Sequence, residues 1–164
     1  MSAYLKIGST IKGESLAEGH KGSDGWIEVG SIQFGAGRGI STPVGTSSKR
    51  EASAPSISEV VVSKTMDSSS TAIFNEACVG TAQEVKIDLV ETGADQLNTY
   101  LEITLTNALI SGYSVSSGGD RPSESISFNF TKIVMRYTPY DDQHKADTSK
   151  IGTAGYDLTA GKKV

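Results

Sequence analysis

Polar and apolar residues alternate along most of this chain, and the places where the alternation slips are as informative as those where it holds. Val85, Ile87 and Leu89 alternate with Glu84, Lys86 and Asp88, the period of a strand with one face in a core. Leu97, Thr99, Leu101, Ile103, Leu105 and Leu109 mark one face of the longest strand, broken in that series only at Asn107. The residues between these strands, 91–98, read as a hairpin loop. Over residues 120–139, Ile126, Phe128 and Phe130 share one parity, and Ile133, Met135 and Tyr137 share the other. A single long strand there would bury both its faces, so either a bulge re-aims it or another copy of the chain covers the second face. Ile27 and Val29 against Ile32 and Phe34 show the same change of parity around Gly30, which predicts a bend or bulge. Shorter strands are expected at 4–7, at 57–64 around Val60, Val61 and Val62, at 113–116, and at Tyr156 and Leu158.

Two stretches depart from this pattern. Residues 67–80 predict the one helix: Ser68, Ser69 or Ser70 supplies an N-cap oxygen, Ile73, Phe74, Ala77 and Cys78 gather on one face, and Gly80 sits where a C-terminal cap belongs. Its narrow apolar face suits a helix that covers the end or side of a sheet. Residues 35–56 combine four glycines and two prolines with many serines and threonines, a long loop with almost nothing to place in a core. The tail over 140–155 also reads as polar loop. The sum is a mainly β fold, an antiparallel β-barrel of two packed sheets with one flanking α-helix and a long extended loop.

The 164 residues suit a single domain over 1–164. A formal net charge of −4 argues against a basic nucleic-acid-binding surface. No apolar run reaches the ~18 residues of a membrane helix, and the first residues lack the apolar core and small-residue cleavage site of a signal peptide. The single cysteine, Cys78, rules out an intrachain disulfide and reads as a buried small hydrophobe.

Catalytic chemistry finds little support in these residues. The glycines at 35, 37 and 39 resemble a phosphate loop but lack its lysine and a following helix. His20 and His144 lie in polar loops with no nucleophile placed beside them, and Ser9 and Lys12 fit the S-x-x-K spacing only within a short turn. Asp141, Asp142, His144 and Asp147 have no metal-loop spacing and read as a solvated acidic loop. No catalytic, cofactor-binding or metal residue is assigned, and the protein is not expected to be an enzyme.

Separated segments, in order, carry a family resemblance: YLKI at 4–7 with KGES at 12–15, HKG at 20–22 leading into WIEV at 26–29, STAIF at 70–74, DRPSESISFNF at 120–130 with YTP at 137–139, and GYDL at 155–158. Together they resemble the hemolysin-coregulated protein (Hcp) family, the tube protein of the bacterial type VI secretion system. The chain departs from the family in Ile32, Gln33 and Phe34, where aromatic-x-aromatic is common, and in Ser70 and Thr71, where Ser-Pro is common.

The resemblance implies a helix-flanked β-barrel whose hexameric rings stack into a hollow tube that carries effector proteins. It further implies a VgrG-type spike protein at the tip, a contractile sheath around the tube, and a protein that is cytoplasmic before assembly and then secreted without cleavage. No cofactor, nucleic acid or membrane is implied. A tail-tube subunit of a phage-like contractile particle has the same architecture and stays open as an alternative. A lumen that passes cargo needs a small, polar wall, and Gln33, pointing away from Ile32 and Phe34, is the lumen or cargo-contact candidate. Arg38, Lys49, Arg50 and Glu51 in the extended loop, with Met135 and Tyr137, are the ring-stacking or subunit-contact candidates. The loop is expected to order on the next ring or subunit.

Overall fold

Long antiparallel strands organise the molecule because β-branched and leucine side chains recur on one face of successive segments. The structure, a computed structural model, describes residues 1–45 and 50–164. Lys49 therefore lies outside the described residues. The strands are β1 (Ser2–Ile7), β2 (Leu16–Ala17), β3 (His20–Lys21), β4 (Trp26–Val29), β5 (Ser31–Gln33), β6 (Ala36–Gly37), β7 (Ile40–Ser41), β8 (Glu51–Ala52), β9 (Ser56–Ile57), β10 (Val60–Thr65), β11 (Gln83–Thr92), β12 (Leu97–Ser116), β13 (Ser123–Asn129), β14 (Lys132–Tyr137), β15 (Gly152–Asp157) and β16 (Lys162–Lys163), with α1 at Ser70–Val79.

One sheet runs β16-β15-β14-β12-β11-β1-β4, and a second runs β12-β13-β10-β5, all antiparallel. The two sheets share β12 on one side. On the other side the chain turns from β4 in the first to β5 in the second through Gly30, whose N–H donates to the Ser63 carbonyl at 2.7 Å. The bend expected at Gly30 is thus a sheet-to-sheet corner with no ladder between β4 and β5, so the expected barrel is not closed and the fold is two packed antiparallel sheets with a flanking helix. Between the sheets lies one cluster that includes Leu5, Ile27, Val60, Val62, Ile87, Ile103, Leu105, Ile126 and Phe128, with Ile73 added from α1. Each such side chain, fully buried, contributes roughly 1.5–3 kcal/mol.

Several expectations need correction. The segment over 120–139 is two strands, β13 and β14, which sit in different sheets. At the corner between them Phe130 stays buried, and both the N–H and Oγ1 of Thr131 bond to the Thr106 carbonyl. This intramolecular corner accounts for the change of parity, and Ile133 still enters the same core.

Along β12 the face marked by Leu105 does not extend to Leu109, which is 45% exposed. Asn107 adopts a left-handed backbone (φ 50°), so the period of two slips by one residue and Ala108 turns inward. A second register shift between Ile110 and Gly112 restores the original parity, and Tyr113 packs against the core.

On α1, Ile73 is buried, but Phe74 is 56% exposed and Cys78 is exposed, so the cysteine is no core residue. No side chain caps the helix: the N-cap is Ser69 and makes no side-chain capping bond, while Asp67 Oδ1 accepts from the Ser69 N–H at 2.9 Å in the turn just ahead of it. Gly80 ends the helix in an extended conformation; a Cβ there would lie 2.3 Å from the Glu76 carbonyl. Residues 35–56 contain short ladders, β6 with β9 and β7 with β8, reinforced where Ser53 and Ser58 hydroxyls accept from the Gly39 and Gly35 N–H groups. The expected loop is therefore a two-stranded arm, and nearly every described residue in it is exposed. The tail also holds more strand than expected, since β15 begins at Gly152 and β16 follows it.

Candidate functional site

The four strands of the second sheet alternate, and their outward residues fall into register across the sheet. Ser31 pairs with Ser63, Ser63 with Ser125, and Ser125 with Ser114, a row of four hydroxyls spanning β5, β10, β13 and β12. The row to one side runs Gln33, Val61, Ser127 and Gly112, and the row to the other runs Thr65, Ser123 and Ser116. No charged residue occupies these three rows. Ser31 and Ser63 share a hydroxyl hydrogen bond of 2.5 Å, and Ser111 donates to the Ser127 carbonyl at 3.2 Å. The surface is small-residue, hydroxyl-rich and neutral. It offers hydrogen bonds in rotatable directions and no fixed charge to hold a passing chain.

Among the residues that pair within this second sheet, the charges are on the inward face. Lys64 and Glu124, both with 0% side-chain exposure, form an ion pair of 2.7 Å below the start of α1. Lys64 Nζ also donates to Asp67 Oδ1 at 2.9 Å, the Thr65 carbonyl at 3.0 Å and Ser70 Oγ at 3.3 Å. Glu124 accepts from Ser70 Oγ at 2.8 Å and from the Tyr113 hydroxyl. Burial, together with the bond to Glu124 and its charge, pushes the Tyr113 hydroxyl up to about 12. Every polar group of the cluster thus has a partner, as a buried ionic network requires. Its role is to fasten α1 to the second sheet.

Gln33 is exposed and opens one row of the hydroxyl face, as its strand alternation required. Arg38, Arg50 and Glu51 are exposed on or beside the arm, and none of the three makes an ion pair among the described residues. Met135 and Tyr137 are 39% and 50% exposed on β14, where they register with Ile103 and Leu101 of β12 and with Ala154 and Gly152 of β15. They form a separate apolar face, and the structure does not bring them together with the arm.

His20 lies in β3 and is buried, not in a polar loop as expected. Its Nε2 is 2.8 Å from Asp88 Oδ2, and its ring stacks on Tyr4 and meets Trp26 edge-on. Burial pushes the Asp88 carboxyl above its ordinary value, opposed by the bond to His20. This pair clasps the segment carrying β2 and β3 against β1 and β11. His144 sits in a turn with a left-handed backbone, 3.6 Å from Glu91. Asp141 Oδ1 accepts from the backbone N–H groups of Gln143 and Lys145, and among the described residues no three His, Cys, Asp or Glu side chains gather as a metal site. Among the described residues no helix is long and apolar enough to cross a membrane.

Comparison with known proteins agrees with this architecture. A family model described as type VI secretion system effector, Hcp, matches residues 4–137. Among solved structures, one described as a type six secretion system protein superposes with a TM-score of 0.87 at 28% identity, covering 99% of both chains. Hcp1 from Salmonella typhimurium gives 0.75 at 23% identity over 99% of this chain and 98% of its own. Hcp3 from Pseudomonas aeruginosa gives 0.63 at 17% identity over 95% and 97%. Among curated proteins no sequence match was found. With a helix-flanked pair of antiparallel sheets and a family match over most of its length, the chain belongs to the Hcp family of type VI secretion system tube proteins.

Proposed function

We propose that the protein is a ring subunit whose hexamers stack into a hollow tube, with the hydroxyl face of the second sheet as the lumen wall and effector proteins as the cargo. The observation that carries this reading is the row Ser31, Ser63, Ser125 and Ser114 with its uncharged neighbours. Exposed sheet faces of soluble proteins usually carry lysines and glutamates, which keep copies apart. A neutral hydroxyl wall suits a surface that encloses a passing polypeptide and releases it. Gln33 lies on this wall. The exposed Met135 and Tyr137 face and the arm are surfaces for other copies, since heterologous contacts that close make a ring and repeated docking makes a tube. The subunit is then secreted with its cargo, capped by a VgrG-type spike and driven by a contractile sheath. No catalytic step enters this mechanism.

The test uses a Cys78→Ser background with cysteine placed at Gln33 or Ser125. Crosslinking to an effector within assembled rings is expected from both positions and not from position 153 on β15. Equal crosslinking from all three positions, or none from 33 and 125, would remove the wall assignment. Deleting residues 38–50 should abolish tube growth while the monomer stays folded; tubes of normal length would refute the role of the arm.

A further inference from the structure

Where the two sheets part at Gly30, the surface opens into a cleft of about 510 Å³, a size that holds a ligand or a bound segment of chain. Its rim carries the charges that the hydroxyl rows lack. Glu28 comes from β4 and Glu14 from the loop between β1 and β2, while Arg121 comes from the loop joining β12 to β13. All three are exposed, and none makes an ion pair among the described residues. Glu14 Oε1 accepts from the Ser68 N–H at 3.2 Å, which fixes its carboxylate near the start of α1. The buried Lys64 does not neutralise these glutamates, because its ammonium is engaged by Glu124 and Asp67 at 2.7 and 2.9 Å.

Two further features suit the cleft to an extended polypeptide. Ser63, Thr65 and Ser123 belong both to the outward rows and to the lining, so the cleft is continuous with the hydroxyl face. The ladder between β5 and β10 stops at Ser31 and Ser63, and Lys64 and Thr65 pair only with β13, so among the described residues this edge of β10 carries no strand. A chain laid along it can meet backbone while its side chains reach the rim.

We propose that the cleft is a selection site for transported polypeptide: it receives an extended segment whose basic residue lies against Glu14 and Glu28 and whose acidic neighbour lies on Arg121. This rests on the reading of the serine rows as a lumen wall, and adds where the charges of a cargo are recognised. The neutral rows treat cargo of either charge alike. At the cleft, opposite charges decide which segment is held and in which direction it lies, and salt weakens the hold.

The test measures binding of two fluorescein-labelled peptides, GSKSEG and GSSSEG, to the purified protein by anisotropy at low salt, with sedimentation reporting ring formation. GSKSEG is expected to bind more tightly. Glu14→Gln with Glu28→Gln keeps side-chain size and the oxygen that accepts from Ser68, and is expected to weaken GSKSEG on the order of tenfold while changing GSSSEG little; Arg121→Gln is expected to weaken both. Equal affinity for the two peptides, no binding of either, or an unchanged affinity in the double variant overturns the cleft. Loss of rings in the double variant would assign these carboxylates to a contact between copies and overturns it as well. The reading beneath is tested separately: it stands if an effector still crosslinks from positions 33 and 125 in rings, whatever the peptides do, and falls if the unsubstituted chain forms no rings.

Discussion

The two faces of the second sheet are built from alternate residues of the same four strands, yet they divide polar chemistry in the reverse of the usual manner. Inward, Lys64 and Glu124 are charged and fully buried; outward, Ser31, Ser63, Ser114 and Ser125 are neutral and reach the surface. Removing two charges from water costs several kcal/mol each, regained only through geometry and added hydrogen bonds. The lesson is that the outward face was not composed for solubility, because the charges present where these strands form the second sheet are placed where they fasten α1. Its neutrality is a property of the surface that needs its own explanation, and a wall for a mobile chain supplies one.

The comparison breaks most sharply at Glu124. Glu124→Ala should destabilise the fold by about 3–5 kcal/mol in urea unfolding, since it leaves the Lys64 ammonium buried and unpaired, while replacing Lys64 with Met and Glu124 with Leu together should recover most of that loss. A loss no larger than that of a surface substitution would mean the pair is hydrated.

Tyr113→Phe is a finer probe and should cost about 1 kcal/mol, because Glu124 keeps its bonds from Lys64 and Ser70. Its pH signature is more specific. The unfolded phenol ionises near 10 and the folded one only at about 12, so rising pH through that window favours the unfolded chain. The native protein should therefore lose stability between these values, and the variant should lack that part of the decline in alkaline thermal melts.

The smallest effect belongs to the outward face. Ser125→Ala should leave monomer stability within about 0.5 kcal/mol, as for surface positions without special contacts. A larger loss would show that the serine rows hold the sheet together and would undercut their reading as a wall.

The strands themselves were legible in sequence where alternation was uninterrupted. Val85 and Ile87 are buried as expected, and Gly30 is a corner. Reading failed where a single residue broke the period. Asn107 looked like a gap in a regular series, but its left-handed backbone moved Leu109 outward and Ala108 inward. Phe130 and Thr131 looked like mid-strand residues because a sheet-to-sheet corner preserves the local β pattern on both sides. Lys64 and Glu124 stand 60 residues apart and each resembles an ordinary charged strand residue; only the β10–β13 register makes them neighbours. The same limit hid the serine row. Each strand displays its own serines, but a row exists only once four strands are aligned. The outward direction of Gln33 followed from local alternation alone, whereas the row of Ser63, Ser114 and Ser125 required the ladder.

Because β12 runs unbroken for 20 residues and is hydrogen-bonded to β11 and β14 along its first part and to β13 along its second, both sheets hang on one stretch of covalent backbone. A thrust on either sheet reaches the other along that stretch without passing through a flexible connection. Under load the molecule should respond as one stiff block, its two sheets moving together.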